Sequence, residues 1–244
     1  ITGNLPSPMS RKDIKRVIND FAEAAARAKK AGFDAVEIHA AHGYLLSQFL
    51  SPYSNQRSDA YGGPIKKRAR IIFEVFEAIR EKVGKDFPIL IKINASDFVE
   101  SGLTSEDSLW VCERLSELGI DAIELSGGIP AALTLAAARK RILKPEKEAY
   151  FKEYAQALKP TITCPLILVG GVRSPEVMEE IFDSGTADMF SFARPLISEP
   201  ELINRWMSGD TKPARCVSCN ECLKAAHEEH KLYCVHFASE DRNK

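Results

Sequence analysis

No apolar run in the 244 residues approaches the roughly 20 that a membrane-crossing helix needs, and Ile1-Thr2-Gly3 begins nothing like a signal peptide. Charge of one sign is missing too: the formal net charge is -1, which leaves no electrostatic case for nucleic acid or an anionic membrane as a partner. A disulfide framework is not expected, since six cysteines would suit one only in a short secreted chain. Here four of them crowd into the tail while Cys112 and Cys164 stand alone, so reduced thiols or metal ligands are expected instead. These absences predict a soluble, intracellular, cytoplasmic protein. The start at Ile rather than Met points to processing or to further residues upstream.

What is present is a helix and strand repeat. With 45% apolar and 27% charged residues, the chain can bury a sizeable core as one domain, as α/β barrels of about this length do. After a Pro-containing lead, Ser10 with Asp13 makes a capping-box pattern, and Ile14, Val17, Ile18 and Phe21 follow at helical spacing toward Lys30, with Gly32 as the stop. Val36 and Ile38 alternate with polar neighbours as a first strand; a helix through Ile71, Ile72, Val75, Phe76 and Ile79 ends at Gly84. Pro88 to Ile93 reads as the second strand, followed by a helix capped near Thr104 or Ser105 and ended by Gly119. Asp121 to Leu125 is the third. A long loop from Ser126 to about Pro145, with room for a short Ala-rich helix, precedes a helix carrying Tyr150, Tyr154 and Leu158. Pro165 to Val169 is the fourth strand, Ser174-Pro175 starts the next helix, and Met189 to Phe192 is the fifth strand. The final helix is expected from Ser198, with Glu201 three residues later, to Gly209.

Five strands separated by helices argue for an all-parallel sheet with its helices outside. The echo of Gly32-Phe33-Asp34-Ala35-Val36-Glu37 in Gly119-Ile120-Asp121-Ala122-Ile123-Glu124 fits repeated βα units. An open doubly wound sheet and a barrel both satisfy that count.

Chemistry-bearing residues gather at strand ends. His39, His42 and Tyr44 offer donors, acceptors and a proton source just past the first strand, where α/β folds bind ligands. Lys92 interrupts an apolar strand, and a cation facing inward there needs a negative partner; the other readings are a head group that escapes to solvent and a Schiff-base lysine. Gly170-Gly171-Val172-Arg173 after the fourth strand and Ala193-Arg194-Pro195 after the fifth suit phosphate, through backbone N–H groups and a bidentate guanidinium. Ser126-Gly127-Gly128 is expected on the opposite wall of the cleft, or as turn chemistry alone. In the tail, Cys216, Cys219, Cys222 and Cys234, with His227, His230 and His236 nearby, have spacing suited to an iron–sulfur cluster or tetrahedral zinc.

The stretch His39-Ala40-Ala41-His42-Gly43-Tyr44-Leu45-Leu46-Ser47-Gln48-Phe49-Leu50-Ser51-Pro52, continued by Asn55, Arg57, Asp59 and Tyr61-Gly62-Gly63, resembles the old yellow enzyme family of FMN-dependent oxidoreductases. The resemblance implies a TIM (β/α)8-type barrel of which residues 1–210 supply the fourth to eighth βα units, followed by a Cys-rich tail over 211–244. It implies that His39 and His42 bind a substrate oxygen, that Tyr44 donates a proton, and that Lys92, where the family more often has Arg, lies beside the flavin. Gly170, Gly171, Ala193 and Arg194 would hold the FMN phosphate, with Ala193 where Gly is common, and Ser126 would line the cleft. The tail cysteines resemble the cluster motif of the 2,4-dienoyl-CoA reductase and trimethylamine dehydrogenase branch. The implied reaction takes hydride from NAD(P)H through FMN to the C=C bond of a small-molecule enone, with a [4Fe-4S] cluster or zinc as a further cofactor. Completing the barrel would call for a complementing N-terminal segment or a homo-oligomer. The alternatives are an aldolase using Lys92 and an inactive partial barrel or metal-binding subunit.

Overall fold

The computed structural model describes residues 7–237, so the start of the Pro-containing lead lies outside the described residues. In chain order the first elements are α1 (Arg11–Lys30), β1 (Val36–Ala40), α2 (Leu45–Leu50), α3 (Ile65–Arg68), α4 (Arg70–Val83), β2 (Ile89–Asn94), α5 (Ser105–Glu117) and β3 (Ala122–Ser126). A 3-10 turn (Pro130–Leu135) follows, then α6 (Lys152–Leu158), β4 (Leu166–Val169), α7 (Pro175–Asp183), β5 (Met189–Ser191), α8 (Arg194–Ser198), α9 (Leu202–Met207) and α10 (Glu221–Glu228).

Local chemistry sets these boundaries. The expected capping box forms: Ser10 Oγ accepts from Asp13 N at 3.2 Å while Asp13 Oδ2 accepts from Ser10 N at 3.0 Å. Arg27, Lys29 and Lys30 end α1 with the charge its dipole favours, and Lys29 Nζ donates to Val83 O at 2.6 Å, tying α1 to α4. Thr104 caps α5 and Pro175 opens α7 at its first position.

All five strands are parallel and lie in sequence order. Alternation sends Ile38, Ala40, Ile89, Ile91, Ile93, Ile123, Leu125, Leu166 and Leu168 to the face covered by helices, where all are buried. The intervening Glu37, His39, Lys92, Glu124 and Ser126 share the other face. Among the described residues β1 and β5 end the sheet, so each leaves a row of backbone groups without a neighbouring strand.

Several sequence expectations need correction. The loop after β1 holds two short helices, α2 and α3. The short helix in the loop after β3 is the 3-10 turn, which takes in Ala131 and Ala132 and stops before Ala136. Tyr150 lies before α6 rather than in it. Ser198 does not start a helix but ends α8, its Oγ donating to Pro195 O at 2.8 Å; the helix expected from it is α9, and α10 follows in the tail. Pro200 explains the break, because the residue before proline is driven out of the helical region, and Glu199 has φ -152 and ψ 80.

The polar residues of the β1 loop are spent on folding it. Asn55 Nδ2 donates to Phe49 O and Tyr61 O, both at 2.7 Å, and Arg57 grips Asp59 through two hydrogen bonds of 3.0 and 2.8 Å. Buried Arg68 donates to Gly63 O at 2.8 Å, to Leu50 O and to the Asp107 carboxylate, so one guanidinium joins the loop to α5. Arg68→Ala strands those acceptors and should lower the unfolding free energy by about 3 kcal/mol in urea titration, far more than Ser10→Ala at about 1 kcal/mol.

Candidate active site

The register of β1 on β2 sets His39 beside Lys92, and His39 occupies the strand itself rather than a position past its end. The His39 ring centroid lies 5.3 Å from that of His42 and 5.0 Å from that of Tyr44, so the expected trio does converge. His42 has φ 62, a left-handed conformation that a non-glycine residue keeps only when its surroundings enforce it. They do: its N–H donates to Asn94 Oδ1 at 3.1 Å, and its Nε2 lies 2.7 Å from Ser126 Oγ. Asn94 is oriented in turn by donating to Asp97 Oδ1 at 2.9 Å, while Asp97 Oδ2 accepts from Leu103 N at 2.9 Å. Both Asn94 and Asp97 are fully buried, and the sequence motif gave no sign of either.

Burial first, then the nearby His39 and Lys92, push the His42 imidazole down to about 4. Burial and Lys92 also lower His39, against the opposing pull of Glu124. Both rings are therefore neutral near pH 7, each offering one N–H. Ala41 N donates to His39 Nδ1 at 3.4 Å, which leaves Nε2 of that ring as its proton-bearing atom. Tyr44 is 62% exposed, an accessible phenol at the rim.

Lys92, which as an inward-facing cation needs a negative partner, finds two within the chain. Its Nζ lies 3.1 Å from Glu124 Oε1 and 3.7 Å from Glu37 Oε2. Two carboxylates around one ammonium leave one negative charge in excess. Burial, then Glu124, raise the Glu37 carboxyl to about 7 against the pull of Lys92. An ammonium so paired is unlike the isolated amine of a Schiff-base site.

At the far end of the sheet, Gly170 and Gly171 adopt φ 122 and 78. A Cβ on Gly170 would fall 2.9 Å from the Phe151 ring and one on Gly171 2.8 Å from the Tyr150 ring, so both positions need glycine. The backbone N–H groups of Gly171, Val172, Ala193 and Arg194 have no hydrogen-bond acceptor among the described residues. Those of Arg173 and Ser174 differ: both donate to Glu148 Oε2, at 2.8 and 3.0 Å, so a carboxylate of the chain already caps α7. The Arg173 guanidinium donates through its two terminal nitrogens to Ile142 O and Ala214 O, while its buried Nε has no partner among the described residues. Of the expected anion-binding residues, the two glycines, Ala193 and Arg194 remain available.

One cavity of about 620 Å³, whose lining does not include His39, joins the others, with His42, Tyr44, Lys92 and Ser126 at one end and Gly170, Gly171, Ala193 and Arg194 at the other. Cys216, Ser218 and Leu223 of the tail complete its wall. The loop after β3 is held over it by Arg139, whose guanidinium lies 4.5 Å from the Tyr150 ring centroid and 5.2 Å from those of Phe98 and Phe151. Cys216, Cys219, Cys222 and Cys234 line a separate small hollow with His236 and Arg194. Burial and the neighbouring Cys216 and Cys219 raise the Cys222 thiol. As placed, no three of the described His, Cys, Asp or Glu side chains are grouped to hold one ion, so thiolates would have to draw together around a metal.

Comparison with known proteins finds relatives of the chain by sequence and by fold. A model of the NADH:flavin oxidoreductase / NADH oxidase family matches residues 2–212. The chain is 36% identical over 237 residues to a metal reductase of Desulforamulus reducens, covering 96% of this chain and 35% of that protein. Against the complex of 2-naphthoyl-CoA reductase with 2-naphthoyl-CoA the TM-score is 0.80 at 28% identity, over 88% of this chain and 32% of that one. Against the old yellow enzyme homologue from Zymomonas mobilis it is 0.68 at 26% identity, over 84% and 55%. The chain thus spans 35% of the metal reductase's length, and its five parallel strands form part of a barrel of the (β/α)8 type.

The raised Glu37 carboxyl has a consequence for stability. The folded protein holds a proton there that the unfolded chain releases from about 4.5 upward, so this contribution is complete below that pH and is lost as pH rises through about 7. Between about pH 5 and about pH 8 the urea midpoint of the wild type should fall more than that of Glu37→Gln. Parallel pH curves for the two proteins would refute the assignment.

Proposed function

The chain belongs to the NADH:flavin oxidoreductase / NADH oxidase family, and from that premise we propose that its cavity binds FMN and an α,β-unsaturated carbonyl compound, with NAD(P)H as the electron donor. One observation carries this reading. Four N–H groups on two successive loops, unpaired among the described residues and with Arg194 beside them, open into the same cavity as the His42–Ser126 pair. The amides and guanidinium fit a phosphate monoester, whose charge is best met by fixed backbone dipoles and a planar fork. Lys92 fits the electron-rich side of the isoalloxazine ring system.

When bound, FMN supplies the hydride-transfer chemistry. The remaining tasks fall to side chains of this chain. His39 and His42, neutral and fixed, donate hydrogen bonds to the carbonyl oxygen of the acceptor, and those bonds strengthen as negative charge builds on that oxygen. Their neutrality matters, because a donor that is not an acid holds the oxygen without protonating it. Tyr44 holds a proton on its Oη for the carbon next to the carbonyl. Asn94 and Asp97 keep His42 in its strained backbone conformation, so the donor is in place before substrate arrives. The 2-naphthoyl-CoA bound by one similar structure is a conjugated acyl thioester, the same class of electron-poor acceptor.

Two further proposals accompany this one. The four tail cysteines line one hollow, and on drawing together their thiolates would ligate a [4Fe-4S] cluster or zinc. A closed barrel needs eight strands, and the described residues supply five, so the missing βα units come from another segment of a longer protein or from another chain.

The visible spectrum of the purified protein, with FMN added and then dithionite, tests the cofactor. A bound flavin spectrum that bleaches is expected, and Arg194→Ala should weaken FMN at least about tenfold. A protein that ignores FMN even with the complementing segment present would sink the reading. With an enone substrate, Tyr44→Phe should lower the rate of substrate reduction by about 10² while leaving flavin reduction by NAD(P)H intact, as single-turnover kinetics would show.

A further inference from the structure

Among the described residues no carboxylate holds Arg194. Its Nη1 donates both to Arg139 O, at 2.8 Å, and to Asn220 Oδ1, at 2.5 Å. Two acceptors use both protons of that nitrogen, so the guanidinium plane is fixed and the edge made by Nε and Nη2 has no partner among the described residues. That edge is the one that grips an anion through two parallel hydrogen bonds. Asn220 is itself fixed at its other end, with Nδ2 donating to Ala138 O at 2.7 Å. Its backbone has φ 70, a left-handed conformation that asparagine tolerates better than most residues, and it stands just before α10, between Cys219 and Cys222. Arg141 N donates to Ser218 O at 3.1 Å, so the tail and the loop after β3 are stitched together on both sides of this contact.

We propose that Asn220 is the positioning residue for Arg194: bridging the tail to the loop after β3, it presents the Nε and Nη2 edge of the guanidinium to a phosphate group in the cavity. This rests on the reading of that cavity as a phosphate-ester site and extends it into the tail. The cysteine segment is then part of the anion site whether or not it carries a metal. The amide is suited to the task because it accepts at one end, donates at the other and bears no charge. An aspartate of the same shape would form an ion pair with Arg194, set a carboxylate against Ala138 O, and cancel the charge that attracts phosphate.

The test is a binding cycle on the full protein, with FMN and inorganic phosphate as probes. FMN affinity is measured by fluorescence quenching for the wild type, Asn220→Ala, Asn220→Asp, Arg194→Ala and the Asn220→Ala/Arg194→Ala double variant. Asn220→Ala should weaken FMN about tenfold, Asn220→Asp should weaken it further although it preserves shape, and Asn220→Ala should cost nothing more once Arg194 is gone. An unchanged affinity in Asn220→Ala, or the same loss with and without Arg194, overturns the proposal. If the wild type binds neither probe, the phosphate-site reading fails, and the tether is then judged by the Arg194 Nε–H NMR signal. A signal unaltered by Asn220→Asp overturns it, and one that shifts and loses protection from exchange supports the tether.

Discussion

The in-register parallel pairing of β1, β2 and β3 is the constraint on which the site depends. Because neighbouring strands match residue for residue, one row across the sheet reads His39, Lys92, Glu124, and the row above it ends in Asn94 and Ser126. A slip of one residue would send this set under the helices and bring the isoleucines out. The apolar face and the polar face therefore specify each other. Burial of Ile38, Ile91 and Ile123 fixes the register, and the register sets an imidazole, an ammonium and a carboxylate side by side.

That row makes the electrostatics of the cavity local rather than global. The chain as a whole is nearly neutral, yet within a few ångströms an ammonium sits between two carboxylates while both imidazoles are kept uncharged. Low exposure amplifies each of these interactions and also penalises each unpaired charge. The result is a surface that changes charge near neutrality at Glu37, while the His39 and His42 imidazoles beside it stay uncharged there.

The loop between β3 and α6 has the widest structural reach. Arg139 stacks on three aromatic rings, two of which lie against the Gly170-Gly171 turn, and its carbonyl accepts from Arg194. The glycines are thus required twice, for their positive φ and for the ring packed where a Cβ would be. One irregular segment in this way joins the aromatic layer, the two candidate anion-binding loops and the tail.

The sequence by itself determined the helix and strand order, the parallel sheet, the His39, His42 and Tyr44 trio and the two candidate phosphate loops. These rest on short-range signals: periodicity, caps, glycines and residue types clustered within a few positions. It misplaced the start of α9 because the Ser198 and Glu201 spacing imitates a cap, while Pro200 ends α8. Only the tertiary structure decided that Lys92 is paired with Glu37 and Glu124, that Asn94 and Asp97 hold His42, that Glu148 rather than a ligand caps α7, and that Asn220 holds Arg194. Each of those contacts joins residues from separate segments of the chain, or turns on which way one buried side chain faces. No periodicity or motif records such a pairing, because it comes into being only when the strands are in register and the loops have closed over them.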